Sequence, residues 1–347
     1  MNRLPILCLC LLFLSNLSAQ SPYEPYQDYD LFAEEAPLEV ELSFDYRSFL
    51  KNKNKDEYQP AIIKVYLDSS TAVSDTIRMK ARGEFRKRFC GFPPIKLNFK
   101  KADFPIPALE ELKKIKLVTH CKNGETFQQY LFKEYLAYKS FNLLSDNSLR
   151  VRLVHLTYID TKGKKSSFER YGFIIEDIEQ MAARVNAMEI DREGIHSEWT
   201  DRNHMTKVAL FEYMIGNTDW HIPSLHNVKL IQEKNLVGEP KVYVIPYDFD
   251  YSGIVNAMYA IPSDRLNIKS VRDRLYMGYE RGAEEMQVEI DFFLSQKDAI
   301  MSLYENSPYL DPNHKRECIT YLEEFFMILT NPKRVKYTIT DYAKKKE

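Results

Sequence analysis

Glycine is scarce, at 11 of 347 residues, which excludes fibrous and glycine-rich linker architectures. Cysteine is scarcer still: five residues with no CxxC pair, so a thiolate zinc site has no scaffold. Net charge is nearly absent, with 48 Lys+Arg against 50 Asp+Glu and a formal charge of −2. That balance removes any whole-protein case for nucleic acid or an anionic membrane as partner. No internal repeat and no low-complexity tract stands out beyond the short basic tail Lys344–Lys346. What remains is a globular composition, 44% hydrophobic and 28% charged, long enough for about two domains or lobes.

The one long apolar run is at the start. Arg3 precedes Leu4–Leu14, and Ser15-Asn16-Leu17-Ser18-Ala19 follows with small residues. This is the pattern of a cleaved signal peptide over 1–19, too short for a membrane span of roughly 20 apolar residues. The mature chain is therefore expected to be exported, secreted or retained in the cell envelope, and to have no membrane span. Cys8 and Cys10 leave with the peptide; Cys90, Cys121 and Cys318 remain, either as one disulfide with a free thiol or as three reduced thiols.

The stretch 20–37 reads as an exposed, acidic, tyrosine-rich leader. Alternating apolar residues then predict strands at Leu38–Phe44, Ala61–Asp68, Thr76–Ala81, Ile95–Phe99, Ile115–Thr119, Val151–Asp160 and Tyr171–Ile175. Between the fifth and sixth lies a long amphipathic helix, Thr126–Leu144, with Tyr135, Tyr138 and Phe141 on its apolar face. Beyond Asp177 helices dominate: Ile178–Met188, His204–Ile215, Met286–Asn306 and Pro312–Leu329. A hairpin of Asn227–Gln232 and Lys241–Ile245 interrupts them. The expectation is a two-lobed α+β protein, with a strand-rich lobe over 38–177 and a mostly helical one over 178–347.

Three segments carry candidate chemistry. Asp248 and Asp250 stand at i and i+2 directly after an apolar strand, a placement that suits a hard divalent cation. Asn217-Thr218-Asp219 follows a helix and precedes His226-Asn227. An Asp, then an Asn, a strand pair and Asp-Phe-Asp is the order that phosphoryl transferases of the kinase type use. Arg78 to Lys101 holds nine bases and one acid, a cationic segment able to hold polyphosphate. Taken singly, each has an ordinary reading: a turn, a plain loop and a solvated face. His221 and His226 read as structural rather than as a metal pair, and Trp199 and Trp220 as packing.

In this order the segments Arg82-Gly83, Ile95-Lys96-Leu97-Asn98-Phe99, Gly172-Phe173-Ile174-Ile175-Glu176, Asn217-Thr218-Asp219, His226-Asn227 and Pro246-Tyr247-Asp248-Phe249-Asp250 resemble the CotH spore-coat protein kinase family, across about 38–253. The resemblance implies an atypical protein-kinase-like fold, ATP with Mg²⁺ or Mn²⁺, and phosphorylation of protein Ser/Thr hydroxyls by a secreted bacterial protein. It implies Asp219 as the catalytic aspartate that orients the hydroxyl, Asn227 and Asp248 as metal ligands, and Asp250 in support. Lys96 would contact the phosphates with Arg82 adding charge, Glu134 (or, second, Glu125) would pair with Lys96, and Glu176 would lie at the adenine hinge. Two departures mark this chain. Asn227 stands eight residues after Asp219 rather than five, with Ile222–Leu225 as an insertion, and the basic loop has Phe85, Arg86 and Phe89 where such loops repeat glycine. The competing reading is a catalytically silent protein of the same fold that binds or builds; a divalent-metal hydrolase ranks third.

Overall fold

A computed structural model describes residues 21–234 and 238–345. The expected signal peptide over 1–19 lies outside the described residues. Seven strands come first: β1 (Leu38–Phe44), β2 (Gln59–Tyr66), β3 (Ala72–Ala81), β4 (Ile95–Asn98), β5 (Lys114–Val118), β6 (Val151–Asp160) and β7 (Phe168–Ile175). They close a barrel in the order β1-β2-β3-β4-β5-β7-β6. Six of its junctions are antiparallel. Closure comes from a parallel one, where β1 runs beside β6 from Leu38↔Val154 to Phe44↔Asp160. A closed ring leaves no strand edge unpaired. Every second residue points inward, so Leu42, Met79, Ile95, Leu97, Ile115 and Leu156 fill the centre.

Four helices punctuate these strands: α1 (Tyr46–Lys51), α2 (Glu84–Phe89), α3 (Pro107–Glu110) and α4 (Glu125–Leu144). α4 is expected from its sequence to bury one face. It buries nearly all of its circumference from Leu131 onward, Lys133 and Glu134 included, because the outer faces of β6 and β7 cover one side and the later helices the other. Most of the described leader is exposed, with two exceptions. Leu31 and Phe32 are buried against the barrel, and buried Arg152 on β6 holds the segment through Tyr29 Oη, the Leu31 and Ala36 carbonyls and Glu34.

The second half contains α5 (Ile178–Arg184), α6 (Arg202–Ile215), α7 (Ala283–Ser295), α8 (Lys297–Glu305), α9 (Pro312–Leu329) and α10 (Pro332–Val335). The expected hairpin is β9 (Val228–Glu233) with β10 (Val242–Pro246), joined by β8 (Ala187–Ile190) into a sheet of order β10-β9-β8. The helix expected over 286–306 is two helices that meet at Gln296, which caps the end of one and the start of the next. Aspartates start the helices that matter most for the site: the side chains of Asp177, Asp201 and Asp311 accept from the first-turn amides of α5, α6 and α9. The fold is mixed α+β, and its strand-rich part closes into a barrel, a closure that strand alternation alone does not specify. Among the described residues no helix is long and apolar enough to cross a membrane.

Candidate functional site

Asp219 is placed by the way α6 stops. Gly216 ends the helix with φ +68°, and a Cβ there would collide with the Tyr321 hydroxyl, so only glycine serves. The Asn217 amide donates back to Glu212 O at 2.8 Å, and Asn217 Oδ1 accepts from the Asp219 amide at 3.0 Å. Glu212, wholly buried beneath this turn, is pushed far above the usual carboxylate range by that burial.

The segment between Asp219 and Asn227 closes on itself. His221 and His226 exchange two backbone hydrogen bonds of 2.9 Å, and Leu225 donates to Ile222 O inside that ring. Asn227 is thereby returned to Asp219: its Nδ2 donates to Asp219 O at 2.8 Å and to Oδ2 at 3.0 Å, while His226 Nε2 lies 2.9 Å from Oδ1. Asn227 sits in the left-handed region (φ +51°), as does Asp248 (φ +67°), a conformation Asn and Asp tolerate best. The Tyr247 amide donates to Asn227 O, and the Gly253 and Ile254 amides donate to Gly216 O and Ile215 O at the end of α6. The Asp219 loop and the Asp-Phe-Asp segment are thus stitched into one unit.

Asp248 and Asp250 meet Glu134 of α4. One carboxylate oxygen from each of the three lies within 4.8 Å of the others. Asp248 is steered by its amide, which donates to Tyr138 Oη at 2.8 Å. Burial pushes Glu134 and Asp250 upward, and the guanidinium of Arg86 pulls both back. Arg86 comes from α2, in the segment whose ordinary reading is a solvated basic face.

Lys96 does not pair with Glu134. On β4 it faces Lys80 on one side and Lys116 on the other, so three lysines share the outer face of the barrel. Burial and neighbouring cations, Lys114 first among them, lower its pKa. Glu125 stands exposed in the first turn of α4. Arg82 follows β3, partly buried, and its charge acts on Lys116. Glu176 is fully occupied: the Arg150 amide and the side chains of Arg150 and Arg184 all donate to its buried carboxylate, which anchors the crossing from β7 to α5. Trp199 is 71% exposed, against the packing role expected of it, whereas Trp220 is buried.

The residue that sequence reasoning misses is Lys116. It lies on β5, the strand just before α4. Its Nζ lies 4.2 Å from the Tyr247 ring centroid, beside Asp248. Burial and the nearby Arg82 bring its pKa down to about 7, with Asp248 opposing. A lysine interleaved with Ile115 and Leu117 ahead of a long helix is the signal that could have found it. Cys90 and Cys121 form a disulfide that ties the end of α2 to the segment after β5, and Cys318 is a buried free thiol.

No family model matches the chain, and no curated protein does. Among solved structures it is similar to the Helicobacter pylori proinflammatory kinase CtkA, at 14% identity and a TM-score of 0.38, over 73% of this chain and 94% of that one. A likeness this loose carries no argument about activity. The geometry has to carry it.

Proposed function

We propose that this chain is an exported, CotH-like protein kinase with an atypical kinase fold that transfers the ATP γ-phosphoryl group to Ser/Thr hydroxyls of a protein. The observation that carries the reading is the meeting of two opposite fields: Lys116, at the head of the Lys80–Lys96–Lys116 row, lies over Tyr247 beside Asp248. Polyphosphate needs the first field and its divalent cation the second.

In this reading Lys116, Lys96 and Arg82 bind phosphate oxygens. Asp248, with Asp250 and Glu134 near it, would hold Mg²⁺ or Mn²⁺, hard cations that take such oxygen donors, and Asn227 would add its Oδ1 as the family resemblance implies. When bound, the metal offsets charge on the phosphoryl oxygens. Asp219, fixed by His226 and Asn227, accepts the proton of the attacking hydroxyl while the new O–P bond forms and the bond to the ADP oxygen breaks. Most of the acceleration is positioning and charge, which a pre-stitched loop supplies.

One observation favours the silent, ligand-binding alternative: Arg86 occupies two of the three acids. The deciding experiment is label transfer from γ-labelled ATP with Mg²⁺ or Mn²⁺, to the protein itself and to a generic acceptor. The wild type is compared with Asp219→Ala and Asp248→Ala. Transfer lost in both variants supports the kinase. No wild-type transfer, together with no ATP-induced rise in melting temperature, overturns it in favour of the silent protein.

A further inference from the structure

The acidic cluster already contains a cation, and it belongs to the protein. Arg86 donates Nε and Nη2 to Asp250 Oδ2 at 2.8 and 2.6 Å, and Nη2 to Glu134 Oε2 at 2.8 Å. Three carboxylates against one guanidinium leave an excess of negative charge in a place largely withdrawn from water, which is costly unless more positive charge arrives. A second observation points the same way. Glu134 is 2% exposed, yet its Oε1 is buried with no hydrogen-bond partner. Buried carboxylate oxygens are seldom left in that state. Oxygens within 4.8 Å of one another can share one ion, since metal–oxygen bonds of about 2.0–2.6 Å span that separation.

We propose that Glu134, Asp248 and Asp250 form a divalent-cation site that Arg86 occupies in this structure and vacates when metal binds. The inference deepens the phosphotransferase reading and rests on it for its purpose, since the metal would serve nucleotide chemistry.

The segment carrying Arg86 is built to move as a unit. α2 is six residues long; Gly83 precedes it with φ +78°, and the Cys90–Cys121 disulfide fixes its far end. Between these points it is latched by aromatic rings. Phe85 and Phe89 stack on each other at 5.2 Å and both lie against Tyr259, at 5.7 and 5.0 Å, while the Tyr259 hydroxyl donates to Asp250 at 3.0 Å. Phe85 also meets Tyr251 edge-on at 6.0 Å. Ring contacts of this kind hold a resting position without locking it. A polyphosphate on the Arg82–Lys96–Lys116 side offers the guanidinium a competing anion. Exchange of partners follows: Arg86 turns to phosphate, and the carboxylates turn to metal. Metal and polyphosphate therefore bind with positive coupling.

The test is Mn²⁺ titration followed by electron paramagnetic resonance, without nucleotide, on the mature protein. Arg86→Gln should bind Mn²⁺ at least tenfold more tightly than wild type, and Arg86→Gln/Glu134→Gln should lose that gain. Equal affinity of wild type and Arg86→Gln, or a gain that survives Glu134→Gln, overturns the proposal. Should Arg86→Gln fail to fold, Phe85→Ala/Phe89→Ala keeps the guanidinium and the Tyr259 hydroxyl on Asp250 and loosens only the ring latch. It should gain severalfold in Mn²⁺ affinity, and an unchanged value overturns the proposal. Because the titration contains no ATP, absence of both phosphoryl transfer and an ATP-induced rise in melting temperature would end the kinase reading without touching this result, and the converse holds.

Discussion

Two buried arginines, one on the barrel and one at the acidic cluster, show how differently the two regions are made. Arg152 meets a hydroxyl, two carbonyls and one carboxylate whose far side is in water, and its donors are met by separate acceptors. Arg86 meets two buried carboxylates and leaves a third acid and one orphaned oxygen beside it. The backbone follows the same division. Leu225, Asn227 and Asp248 take positive φ around the candidate site, while no residue of the barrel strands is among the non-glycine residues that do. The difference teaches how each region handles a buried cation: on the barrel the guanidinium is met by dispersed acceptors, and at the acidic cluster it faces more carboxylate than it can pair with.

The comparison breaks most sharply at Asp219. Asp219→Ala should lower phosphoryl transfer by on the order of 10²–10⁴-fold with the melting temperature near that of wild type, as read by label transfer and calorimetry. The mirror experiment is Leu42→Ala in the barrel centre. It should cost about 2–5 kcal/mol in denaturant unfolding while the rate per folded molecule stays unchanged. Reducing the Cys90–Cys121 bridge, which closes a separation of 31 residues, should cost about 3–4 kcal/mol on the chain-entropy account and loosen the α2 side of the acidic cluster.

A subtler contrast lies in Lys116. Its ammonium form is favoured in the unfolded chain up to about 10.5 but in the fold only to about 7, so the unfolded state binds more protons between those values. Stability should therefore fall as pH drops from 10.5 toward 7 and level off below, and Lys116→Met should flatten that slope in pH-resolved melting. The same variant should weaken nucleotide binding, since a charge useful to phosphate is a burden to the empty fold. The smallest effect is expected at His226. His226→Gln keeps an amide able to donate toward Asp219 Oδ1, so label transfer should stay within severalfold of the wild-type rate.

Much of this architecture is legible in the amino-acid sequence alone. Period-two alternation locates all seven barrel strands, since a half-buried pleat writes its burial into the sequence. Closure is not legible. It depends on β1 lying beside β6, more than a hundred residues away, and no local pattern encodes such a pairing. The break at Gln296 is hidden because the apolar pattern continues through it. At the site, Asp219, Asn227, Asp248 and Asp250 stand out as residue types in a recognisable order, and the structure brings the first two together and the last two beside Glu134. Arg86 is hidden because a buried cation inside a basic run looks like its solvated neighbours. Its flanking Phe85 and Phe89 are the clue. Glu134 is named from the sequence, but its burial and that of Lys133 are hidden, since a helix covered on two sides buries residues that periodicity assigns to water.

The ring formed by His221 and His226 has a consequence for recognising proteins of this kind. Asn227 reaches Asp219 because the intervening turn fastens its own two ends, so the distance along the chain and the distance in space are uncoupled there. A search template that counts residues between the two side chains passes over this molecule. One that asks whether the segment between them can close a small ring finds it, and finds any other chain that has lengthened the same turn.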